Sequence, residues 1–168
     1  MSELSSRIKA IIEHYEIKQA EKEARDRESD RIIQQQKLVS RWKNVLDFLQ
    51  PEISAVVKII EEHSYPCRQH LTPEFHPYNQ ESYIHEVRLT VSPHAVLNTK
   101  VLNKDFVVKQ LLDRGSTITF SVDPGGNRMQ VTEVISDDMK CQFFLYLDEI
   151  DQQAVTTLLE DFVNKVFI

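Results

Sequence analysis

The chain has 168 residues, 41% of them apolar and 27% charged, with a net charge of −6. That length suits one domain with an appended arm, and the acidic balance disfavours a broad phosphate-binding surface. Only three glycines occur, Gly115, Gly125 and Gly126, so the glycine-rich loops of P-loop and Rossmann proteins are missing, as is the GxSxG elbow of α/β-hydrolases.

Residues 3–17 predict a short amphipathic helix. Leu4, Ile8, Ile11, Ile12 and Tyr15 recur at i, i+3/i+4 spacing, with Ser2 as N-cap. Its polar face lacks the basic excess of a membrane-surface helix, so docking on protein is the better reading. Residues 18–31 hold ten charges in fourteen positions, five of each sign. Glu21–Arg25 and Glu23–Arg27 stand in the favourable i,i+4 order. This block reads as an exposed helical connector or a hinge, which divides the chain into an arm, 1–31, and a domain, 32–168.

Residues 31–63 predict the main helix, kinked or restarted at Pro51. Ile32, Val39, Leu46, Ile53 and Ile60 recur at seven-residue spacing, and Gln35, Trp42, Leu49, Val56 and His63 follow three positions later. Leu38, Val45 and Ile59 widen this apolar face beyond a two-stranded coiled-coil seam. A helix so patterned needs a large surface to rest on. Residues 64–81 read as irregular because of Pro66, Pro73 and Pro77.

Residues 83–91 alternate as a half-buried strand, with Tyr83, His85, Val87, Leu89 and Val91 on one face. A short helix over 104–113, capped by Asn103, would turn Phe106, Val107 and Leu111 inward. Strands at 116–122 and 128–135 flank the turn 123–127 as a hairpin. Another turn leads to a strand over 141–147, and Asp148 would cap a final helix to about Val166. The expected class is α+β: a long kinked helix with its arm, a small antiparallel sheet of about four strands, and a C-terminal helix.

Chemistry-bearing residues are sparse. His63, Cys67, His70, His76 and His85 fall close together, but their spacing lacks the paired signature of a zinc site. A Cys67–His70 nucleophile has no orienting third group in view. The segment 31–44 carries Arg31, Lys37, Arg41 and Lys43 with Trp42 and no acidic residue. It supplies a nucleic-acid reading, which the scatter of those cations around the helix weakens. The acidic cluster at 137–151 lacks an EF-hand loop. No cofactor is expected.

Cys67 and Cys141, without a CxxC, read as a reduced pair. With no secretory signal pattern and no apolar run of ~18 residues, a cytoplasmic, non-membrane protein is expected. The functional expectation is a non-enzymatic adaptor or inhibitor that binds protein. It would self-associate as a dimer through its N-terminal helices, by way of Val39, Trp42, Leu46, Leu49, Ile53 and Val56.

Overall fold

The computed structural model describes residues 2–75, 82–94, 104–123, 127–135 and 139–168. Along the chain run α1 (Glu3–Glu62), β1 (Cys67–Phe75), β2 (Ser82–Val91), α2 (Lys104–Asp113), β3 (Ser116–Asp123), β4 (Arg128–Ile135), β5 (Met139–Tyr146), a 3₁₀ turn (Leu147–Glu149) and α3 (Gln152–Phe167). Two compact units divide this chain, Met1–Lys37 and Leu38–Ile168. The second carries the α+β fold.

The segments expected as two helices and a connector form one helix. Residues 18–31 are mostly good helix formers, with no Gly or Pro to stop propagation. Pro51 lies inside α1, where its missing N–H withdraws one bond from the Asp47 carbonyl. The expected N-cap forms, since Ser2 Oγ accepts from the Ser5 N–H at 3.2 Å. At the other end Ser64 takes a left-handed φ of 67°. The Tyr65 N–H then donates to the Ile60 carbonyl at 3.2 Å and the Ser64 N–H to Glu61 at 2.9 Å. This Schellman-type closure normally uses glycine.

Among the described residues the sheet has five antiparallel strands in the order β1-β2-β3-β4-β5, one more than expected. The extra strand is β1, in the segment read as irregular. Pro73 is accommodated because β1 is an edge strand whose register slips between Thr72 and Pro73, a position that tolerates a missing donor. Gly115 permits the entry to β3: a Cβ there would lie 2.7 Å from the Val91 carbonyl oxygen.

The core of the second unit is built by alternation. β2 supplies Val87, Leu89 and Val91, β3 supplies Ile118, Phe120 and Val122, and β4 supplies Met129 and Val131. Trp42, Leu49 and Ile53 of α1 and Val155, Leu159 and Phe162 of α3 complete it. Trp42 is fully buried, and its indole N–H donates to the Ile84 carbonyl at 2.5 Å, so burial leaves no orphaned donor. Two expectations need correction. Asp151, not Asp148, caps α3 by accepting from the Ala154 N–H at 2.8 Å, because the 3₁₀ turn intervenes. In α2, Phe106 is exposed and Leu112 is the buried residue. The expected Asn103 cap lies outside the described residues.

Candidate functional site

Val39, Trp42, Leu46, Leu49 and Ile53 are all buried within the second unit, and Val56 packs half-buried against its core. The wide apolar face of α1 therefore rests on the chain's own sheet and α3.

The metal and nucleophile candidates are not brought together. His63 sits exposed in the turn after α1. Cys67 is buried, and desolvation, aided by the nearby Glu61 charge, pushes its thiol up to about 12. At neutral pH it is a neutral thiol, not the thiolate that attacks or ligates. His70 is exposed and, three residues on in the same strand, lies on the opposite face, paired with Arg88. His76 lies outside the described residues. His85 sits beside Tyr83, ring centroids 6.4 Å apart. Among the described residues no group of three or more His, Cys, Asp or Glu side chains could hold a metal.

The basic segment is dispersed as well. Trp42 is inside, Arg41 approaches Asp148 at 3.5 Å, and Arg31 pairs with Glu28 at 3.9 Å. Lys43 and Asp47 line a shallow groove of about 540 Å³ with Tyr83 and Pro73. Among the described residues that line it, Asp47 is the one carboxylate.

Two surfaces have an unusual apolar character. The first lies in the N-terminal unit, where every residue from Ser2 to Arg31 is exposed. Leu4, Ile8, Ile11, Ile12 and Tyr15 retain 66, 49, 68, 51 and 62% of their accessible surface. At 100° per residue these five fall within an arc of about 100°, the width of a face that seats on one neighbour. Burying five such side chains is worth roughly 7–15 kcal/mol before ordering costs. The second is β5, an edge strand with Met139, Phe144 and Tyr146 exposed and the Arg128 guanidinium 4.1 Å above the Phe144 ring.

The sequence contained the amphipathic signal of residues 4–15. It was overshadowed as an association surface by the longer stripe at 39–56, because periodicity shows that a face is apolar and not what covers it. Among the described residues no helix is long and apolar enough to cross a membrane. No protein family, curated protein or solved structure matches the chain.

Proposed function

We propose that the protein is a non-enzymatic protein-binding module, an adaptor or inhibitor that self-associates through its N-terminal helix. The observation that carries this reading is the exposed stripe of Leu4, Ile8, Ile11, Ile12 and Tyr15 on one face of α1. Isolated apolar side chains on a surface are ordinary, but a contiguous helical face of this kind marks an interaction site. Helix-to-helix seating is the recognition mode that such i, i+3/i+4 anchors use. The second unit then serves as the folded body that each arm joins to its partner.

Sedimentation velocity over a concentration series tests the reading. The unaltered chain is expected to sediment as a dimer. Ile8→Glu combined with Ile12→Glu is expected to give a monomer with unchanged fluorescence from the buried Trp42. A monomeric unaltered chain at high micromolar concentration would sink the self-association.

A further inference from the structure

We infer that the outer face of the sheet binds single-stranded RNA, at a surface separate from the arm. The inner face holds the core residues of β2, β3 and β4, packed with residues of α1 and α3. The alternate positions of these strands point the other way and take no part in that core. Strand pairing arranges them in rows across the sheet. One row runs from Arg68 through Thr90, Thr117 and Val134 to Lys140. The next runs from His70 through Arg88, Thr119 and Thr132 to Gln142. In these two rows Thr119 is buried and every other residue is exposed or half-buried.

Charge selects an anionic partner. The two rows hold Arg68, Arg88 and Lys140 and no carboxylate. Further along the same face, Glu86 and Asp123 stand beside Arg88 and Arg128, at 3.4 and 2.6 Å. The contact with Glu86 uses one nitrogen of Arg88, which leaves other guanidinium N–H groups for a phosphate. These rows are thus cationic in a chain of net charge −6. The local excess steers an acidic ligand to one side of the sheet.

Exposed rings and hydroxyls narrow that ligand to RNA. Phe144 and Tyr146 lie on this face at the β5 edge, 43 and 56% exposed. As i, i+2 neighbours on a strand they stand about 7 Å apart. Rings presented by a sheet are platforms for unstacked bases, which a duplex keeps inside. The Arg128 guanidinium, 4.1 Å from the Phe144 ring, adds a planar cation to the same platform. Between rings and cations lie threonine hydroxyls, which donate and accept, as a 2′-hydroxyl does. Arg88 on β2 and Phe144 on β5 are about 16 Å apart at ordinary strand spacing, so one short strand reaches both.

Fluorescence anisotropy with the full-length chain and a labelled oligouridylate of about 8 nucleotides tests the assignment. Binding is expected at low salt. Log affinity should fall against log salt with a slope of about −2, the value for three phosphate contacts. Arg68→Gln with Arg88→Gln is expected to weaken binding about tenfold or more and to flatten that slope. Phe144→Leu with Tyr146→Leu is expected to weaken binding about tenfold with the slope unchanged. Unchanged Trp42 fluorescence and unfolding midpoint establish that each variant is folded. Ile8→Glu with Ile12→Glu is expected to bind like the unaltered chain, so this site and the arm stand or fail separately.

No binding at high micromolar protein overturns the proposal, as does binding that neither pair of substitutions weakens. Equal binding of duplex RNA, or of inorganic polyphosphate, reduces the face to a general polyanion surface and overturns it as well. Equal affinity for oligodeoxyuridylate overturns the assignment to RNA.

Discussion

Glu133 shows how one residue can break the pattern of a strand and still be accommodated. It occupies a core-facing position of β4 and is only 2% exposed. Burying a lone carboxylate is costly, and Lys165 of α3 answers it with a 2.7 Å hydrogen-bonded ion pair. That hydrogen bond holds the Lys165 ammonium above its ordinary value of 10.5, with partial desolvation working against it. The folded pKa is raised, so the pair's stabilisation is fully present below the ordinary lysine value and is lost as pH rises through the elevated one. Denaturant midpoints are therefore expected to drop above about pH 10.5 for this reason, a component that Lys165→Met should abolish. At neutral pH that variant leaves the carboxylate buried without its cation. It should cost about 2 kcal/mol, less than for a fully buried pair because Lys165 reaches solvent. Sequence alone offered no way to see this pair. Glu133 stands where the alternation of Met129 and Val131 calls for an apolar residue, and its partner lies 32 positions away.

At the scale of elements, α1 carries two apolar stripes with different fates. The stripe at 38–60 is consumed in the second unit, while residues 4–15 stay exposed. Leu49→Ala is accordingly expected to destabilise the second unit by about 2–5 kcal/mol in urea titration. The sedimentation coefficient below the transition should be unchanged, in contrast to the double variant at Ile8 and Ile12. Strong periodicity made α1, β2, β3, β4, β5 and α3 readable, because each buries one face and alternates or repeats accordingly. Strand β1 was not readable. Its Pro73 is a breaker in a central strand, and only the sheet order reveals that the strand is an edge with a bulge. The continuity of α1 was equally hidden, since a charged block without apolar positions looks alike as a solvated helix and as a linker. The candidate site was legible in part: the stripe 4–15 is visible in the spacing, but its exposure depends on where the rest of the chain packs.

For the whole molecule, pairing through the arm would raise the effective concentration of one second unit near another, limited by the reach between them. The exposed edge of β5 is relevant here. The strand carries one charge, Lys140, and no proline, so a single lysine guards its edge. Each chain thus brings a template for intermolecular β-pairing. Prolonged storage at high concentration or mild heating would expose this as colloidal ageing, with strand-rich aggregates seeded from the Met139–Tyr146 edge. A single gatekeeping charge, Met139→Lys, sits at an exposed position. It is expected to slow the growth of thioflavin signal and light scattering severalfold, with the unfolding midpoint unchanged. The edge strand would then set the shelf life of the protein more than its core does.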